Sequence, residues 1–421
     1  MFKQERRVGL ARIGWLELDG LKVKTPFIID YLDKPEIVDK IDFGMAPTVL
    51  KEIDKHRFEI LGSKNENFIV ATGLSVLSPR KLVETLLELR MSSFKPLYAV
   101  ALAEPVNIPL LLYFGVDVFD NILAIAKAYR GIYFTEFGEF ELSKLKELPC
   151  NCPVCLDKNP EDLDVKDVAK HNTLAMQKVL KTITHDLENL RNLVEAWVKF
   201  KPELTAMLRI ADELRRVDEF YPNFSRAKVL MSAIESFNRP EVVNFLEKAV
   251  KAYKPKGKVL LILPCSAKKP YSTSRSHTII RSVVKKGVEE IIVSSPLVVP
   301  RVFELVYPAV NYDVPVTGHW SDDEVMYVSK WLCEFLSKGD FEVVIAHVEG
   351  GYKRVVEVTA KEMGLDVIWT AERDVTSAES LKRLKEVMDN LEVEKFDLYK
   401  AIFDHMLRYQ FDVEGVDLKS V

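Results

Sequence analysis

Five consecutive aliphatic residues, Val259-Leu260-Leu261-Ile262-Leu263, follow the breaker Pro255-Lys256-Gly257. Such a run is shorter than an ordinary helix and has no polar face. It reads as a strand buried on both sides, the habit of parallel sheets. Further runs of strand length lie at 290–294, 312–317, 343–348 and 366–370, with a helical pattern over 322–337. The spacing predicts a three-layer α/β domain over 238–376, with a sheet covered on both faces. A C-terminal helical segment over 377–421 follows it.

The earlier chain has the same flavour. Leu97–Ala101 and Val116–Asp120 read as strands around a helix over 105–113, which Gly115 closes without strain. From 163 to 237 apolar residues recur at helical spacing, as in Leu174, Val179, Leu180, Ile183 and Leu187. Residues 1–237 are expected to form one α/β domain with a helical extension. A length of 421 residues suits more than one core.

Several classes are excluded. No apolar run approaches the roughly 20 residues that span a bilayer, and Met1-Phe2-Lys3-Gln4-Glu5-Arg6-Arg7 lacks the apolar core of a signal peptide. A cytoplasmic location is expected. The net charge of −4 gives no bulk signature of nucleic-acid binding, so an RNA-binding role must rest on local basic patches.

The cysteines carry chemistry. There are five, and Cys150, Cys152 and Cys155 fall within one tight turn. An odd number clustered this way argues against disulfides and for a metal. Thiolates suit zinc, which takes four such ligands or a mixture with imidazole, and His171 is the expected fourth. Four protein ligands leave no open position, so the zinc is expected to be structural.

Cys265 is different. The loop Pro264-Cys265-Ser266-Ala267-Lys268-Lys269-Pro270-Tyr271-Ser272-Thr273-Ser274-Arg275-Ser276-His277 starts where the apolar strand ends. Ligands of open parallel sheets bind at such strand ends. A thiol there, with Lys268, Lys269 and His277 near it in sequence, is a candidate nucleophile, because nearby positive charge favours the thiolate. The alternative is an anion-binding loop without covalent chemistry.

Gly115-Val116-Asp117-Val118-Phe119-Asp120, followed by the three cysteines and His171-Asn172, resembles tRNA-guanine transglycosylases. The resemblance implies a TIM-type barrel, zinc on Cys150, Cys152, Cys155 and His171, and Asp120 at the position of the ribose nucleophile. The Asp-Ser-Gly-Gly-Phe-Gln segment of that family's base pocket does not occur in this sequence. The barrel is therefore expected to be degenerate, with Asp120 in a structural or substrate-binding part.

The second loop resembles the archaeosine synthase signature: Pro-Cys, three residues, Lys-Pro-Tyr, two residues, Ser, two residues, His. Pro264, Cys265, Lys269, Pro270, Tyr271, Ser274 and His277 fill every fixed position. Segments around 236–241, 295–297, 315–320 and 346–348 agree with that family as well. The resemblance implies action on tRNA whose D-loop position 15 carries 7-cyano-7-deazaguanine. An amine, from lysine or as ammonia from glutamine, adds to the nitrile and gives an amidine. In this reading Cys265 attacks the nitrile and His277 shuttles a proton to the imidate nitrogen. Lys269 steadies the thiolate or a phosphate, Tyr271 and Ser274 orient the base, and His319 and Asp322 complete the pocket.

Family members usually end in a PUA domain, whereas this chain stops at Val421 without a β-rich tail. A short form is expected, with a PUA-domain protein supplied in trans, a radical-SAM partner for a lysine adduct, and a homo- or hetero-oligomeric assembly. Two other readings stay open: an active transglycosylase that exchanges the base, and a non-catalytic tRNA-binding subunit.

Overall fold

The computed structural model describes residues 1–18, 20–33, 36–37, 49–52, 57–59, 68–315 and 319–411, which divide into two compact units, Met1–Pro222 and Asn223–Val421. The fold is mixed α/β in both.

The first unit opens with an antiparallel sheet of β1 (Phe2–Val8), β2 (Ala11–Leu18) and β3 (Leu21–Thr25). Beyond it, β4 (Phe27–Ile29), β5 (Ile69–Ala71), β6 (Leu97–Ala99) and β7 (Val118–Asp120) form a parallel sheet in the order β4-β7-β6-β5. Helix α1 (Pro79–Ser92) starts where Ser78 caps it and Pro79 occupies the first turn. It buries Leu82, Val83, Leu86 and Leu87, the one-sided spacing of an amphipathic helix. Helix α2 (Val165–His185) buries Val168, Met176, Val179 and Ile183.

Asp117 ties these pieces together. Its buried carboxylate takes two hydrogen bonds from Arg12 at 2.8 Å, one from Arg90 at 2.9 Å and one from the Leu97 amide at 2.9 Å. Strands β2, β6 and β7 and helix α1 thus share one ion cluster. Gly115 has φ +87, and a Cβ there would lie 2.4 Å from the Arg90 side chain. Its lack of a side chain serves both the backbone and this cluster.

The second unit is built on a five-stranded sheet, ordered β10 (Val298–Pro300), β9 (Glu289–Val293), β8 (Val259–Pro264), β12 (Val343–Ala346) and β13 (Val367–Trp369). All pairs are parallel except β9 with the edge strand β10. All six residues of β8 are buried, as the aliphatic run requires; each such side chain contributes about 2 kcal/mol on leaving water. Helices α3 (Pro240–Ala252), α4 (Arg275–Arg281), α5 (Asp322–Leu336), α6 (Gly350–Met363), α7 (Ala378–Asp389) and α8 (Leu398–Phe411) complete this unit.

Three details differ from the sequence expectation. Among the described residues of the 312–317 run, only Tyr312–Asp313 form a strand, β11, which leaves the central sheet and pairs with Val229–Leu230. Residues 316–318 lie outside the described residues. Because 229–230 pair with 312–313, the segment 223–237 belongs to the second unit. Residues 378–411 also pack into this unit's core through Leu384, Met388 and Ala401.

Candidate active site and metal centre

Three parallel strands deliver side chains to one cavity. Cys265 follows β8, Ser295 follows β9, and Glu349 follows β12; all three line a cavity of about 490 Å³. This is where a doubly wound sheet is expected to bind a ligand. Phe237, His319, Trp320, Glu324 and Tyr352 add to the wall.

The Cys265 Sγ lies 3.1 Å from the Tyr352 hydroxyl. Tyr352 stands in the first turn of α6, and its pKa is pushed well up by burial and by the charge of a Cys265 thiolate. It therefore keeps its proton and can donate to sulfur. The Trp320 ring stands edge-on to Tyr352 at 5.0 Å, against Gly351, where a Cβ would come within 2.3 Å of the indole. Glu349 caps no amide of α6, and burial and Asp374 raise its pKa. Glu324 is held by the Ser295 hydroxyl and the Ser321 amide, both at 2.9 Å.

The other loop residues stand elsewhere. His277 is buried, its Nε2–H donates to the Pro264 carbonyl at 3.0 Å, and its Nδ1 accepts from Arg301 at 2.8 Å. Arg301 is fixed in turn by Glu290 and Glu304. Burial, then the Arg301 charge, lowers the His277 pKa to about 3. Both ring nitrogens are engaged, so the proton relay expected of His277 has no free lone pair; the ring anchors the carbonyl preceding Cys265.

Tyr271 is fully buried; its hydroxyl bonds to that of Tyr312, which donates to Ser294 at 2.7 Å. Ser274 caps α4 by accepting from the His277 amide at 3.3 Å. Neither lines the cavity, so base orientation, expected of both, has no geometric support. Lys269 lies 4.0 Å from the Tyr312 ring centroid. Burial lowers its pKa, opposed by the charges of Cys265 and Asp313.

Of the remaining candidates, His319 lines the cavity, whereas Asp322 is 90% exposed and pairs with Arg354 outside it. Asp120 lies in the other unit. It is fully buried and accepts from Tyr98 and the Ala101 amide at 2.8 Å and from the Ile122 amide at 2.9 Å. These bonds fix its carboxylate at the end of β7.

Tyr352, Glu349 and Glu324 were not singled out from the sequence. A signal existed for two of them: Glu349-Gly350-Gly351-Tyr352 directly follows the apolar run 343–348, the same strand-end position that marked Cys265.

The first unit holds the second site. Ligand atoms of Cys150, Cys152, Cys155 and His171 all lie within 4.8 Å of one another, so the cluster can hold a metal ion. His171 Nδ1 faces Cys155 at 3.2 Å and Cys152 at 3.5 Å, while Nε2 lies 2.8 Å from the Phe134 carbonyl. Donation from Nε2–H to that carbonyl leaves Nδ1 as the ligand lone pair, the usual support for a metal-bound imidazole. Tyr133 stacks on His171 at 3.8 Å and reaches Cys155 Sγ at 3.2 Å. Burial pushes the Cys155 thiol up to about 12. A bound dication offsets that cost by stabilising the thiolates.

Comparison with known proteins agrees with this division. Residues 46–196 match the family model described as queuine tRNA-ribosyltransferase, and residues 242–388 match a domain of unknown function, DUF5591. The chain is 39% identical over 353 residues to the archaeosine synthase subunit alpha of Methanosarcina acetivorans, covering 77% of this chain and 56% of that protein. It is 35% identical to the archaeosine synthase of Haloferax volcanii, covering 72% of this chain and 54% of that one. The tRNA-guanine(15) transglycosylase of Methanobrevibacter smithii is 24% identical over 70% of this chain and 46% of its own length. A solved protein of unknown function is 49% identical over 40% of this chain and 58% of its own, with a TM-score of 0.35. The chain is a homologue of the archaeosine synthases, with a tRNA-ribosyltransferase-type domain. It spans about half the length of the curated relatives it matches.

Proposed function

We propose that this chain adds an amine to the nitrile of 7-cyano-7-deazaguanine in tRNA, the archaeosine synthase reaction, and that the Cys265 cavity is where the addition occurs. The carrying observation is the thiol of Cys265 at the end of the central parallel strand, open to a cavity and paired with Tyr352 at 3.1 Å.

A nitrile carbon is electrophilic. The Cys265 thiolate forms a C–S bond to it, one C–N π bond breaks, and the nitrogen takes a proton, giving a thioimidate. An amine then bonds to the same carbon and the C–S bond breaks, releasing the amidine and the thiolate. Nitrile and amine are both fully incorporated, so no oxidant or reductant is required. Tyr352, which holds its proton, steadies the thiolate and donates towards the developing imidate. Glu349, with its raised pKa, accepts the proton of the incoming ammonium. His277 holds the loop and Lys269 offsets charge beside it. The Cys150, Cys152, Cys155 and His171 cluster is read as a structural zinc site, because three thiolates and an imidazole suit that ion and fill its coordination.

Mass spectrometry of cyano-modified tRNA incubated with the protein and lysine or glutamine tests this. A product heavier by the lysine mass or by ammonia is expected with wild type, and none with Cys265→Ala. Full product formation by Cys265→Ala contradicts the mechanism. Incorporation of free labelled deazaguanine into unmodified tRNA would favour base exchange instead.

A further inference from the structure

The antiparallel sheet of the first unit carries a surface unlike the rest of this acidic chain. Strand register sets Lys3, Trp15 and Lys24 side by side across β1, β2 and β3. Residues directly opposite in adjacent strands share a face. Lys22, one alternation further along β3, and Lys24 both reach the indole, with ammonium nitrogens 5.0 Å and 5.9 Å from the ring centroid.

This face runs into a groove of about 360 Å³ whose wall includes Lys24, Arg6, Lys181 and His185. All four are exposed. Among the described residues, no carboxylate lies within ion-pair distance of Arg6, Lys24 or Lys181. Two acids subtract from this charge: Glu5, which lines the groove and accepts from the Trp15 indole at 2.7 Å, and Glu17, which pairs with Lys22 at 3.7 Å. Helix α2 ends at His185, and the negative end of its dipole offsets about half a charge there. A surplus of cations remains, although the chain as a whole carries a net charge of −4.

We propose that this face and groove bind the phosphate backbone of an RNA strand. Cations spread along a surface suit a chain of phosphates better than a single anion. The inference rests on the tRNA reading for the identity of the RNA, but its test reads binding rather than turnover.

The test is a titration of tRNA lacking the cyano group, which Cys265 cannot trap, with wild type, Lys24→Glu/Lys181→Glu and a Lys382→Glu control between 50 and 200 mM salt. The double variant is expected to bind about 10-fold or more weakly at 50 mM salt, with a salt slope smaller by about two. The Lys382→Glu control, at an exposed lysine of the second unit, should bind as wild type does. Circular dichroism and the milder Lys24→Ala/Lys181→Ala variant separate lost contact from lost fold, since the alanine pair should lose affinity in smaller measure. Unchanged affinity and slope in the folded charge-reversed protein overturn the proposal. So does displacement of the tRNA by an oligonucleotide with an uncharged backbone as effectively as by the same sequence with phosphates. Binding through the groove without amidine formation would instead overturn the proposed activity and leave the groove intact.

Discussion

The His277 ring donates to Pro264 and accepts from Arg301, and burial beside that guanidinium holds its pKa at about 3. An unfolded histidine titrates near 6.5. Between those values the unfolded chain binds a proton that the folded ring does not. The stability this ring contributes is therefore complete above about pH 6.5 and declines as pH falls towards 3. His347 and His405, in the same unit, are lowered by burial as well. Urea midpoints should fall from pH 7.5 to pH 5, and His277→Gln should flatten that fall while lowering the midpoint at pH 7.5. An unchanged slope in the variant would show that the ring does not titrate as described. At the cavity, Tyr352→Phe removes the hydroxyl beside Cys265 and leaves the ring packing against Trp320. A charge-assisted hydrogen bond is worth roughly 1.5–3 kcal/mol, so kcat should fall about 10- to 100-fold with little change in KM for tRNA. The place of Cys265 at a cavity was legible in the sequence because it follows the end of a buried strand, where open parallel sheets bind ligands. The parts of Tyr271, Ser274 and His277 were not, because a loop's spacing does not tell which side chains turn inward and which face the cavity.

Strand β7 and helix α1 depend on one buried carboxylate. Asp117→Ala leaves Arg12 and Arg90 buried without their anion, and breaking such a pair costs about 3–5 kcal/mol. Thermal unfolding of the first unit should shift down accordingly; a loss below about 1 kcal/mol would mean that water reaches both guanidinium groups. The elements themselves were readable where the pattern was long. The aliphatic run of β8 and the helix over 322–336 stand where the sequence puts them. The described part of the 312–317 run, residues 312–315, did not join the central sheet. Asp313 interrupts it and pairs with Lys228, while the Tyr312 hydroxyl is committed to Ser294. Strand β10 escaped notice because Val298–Pro300 is three residues long, too short to show a period.

Across the whole molecule, the two units carry separate chemistry. The metal-ligand cluster belongs to the first and the thiol cavity to the second. Cys155→Ala, or strong chelation, should remove one bound metal per chain by elemental analysis and lower the unfolding temperature of the first unit. Reaction of Cys265 with a small nitrile should persist. Loss of that reaction with the metal would contradict a purely structural ion. The cluster was legible because three cysteines in six residues have few other uses; the basic groove was not, because its residues come from β1, β3 and the end of α2 and meet only in the folded chain.

The central claim is a covalent bond between Cys265 and the nitrile carbon. The most direct measurement is peptide mapping by mass spectrometry after acid quench of the protein with cyano-modified tRNA in the absence of an amine. After nuclease and protease digestion, an adduct of the modified nucleoside's mass on the peptide containing Cys265, absent when amine is added before the quench, is the result expected. Wild-type amidine formation with no adduct on that peptide under any quench, together with turnover by Cys265→Ala, would contradict it.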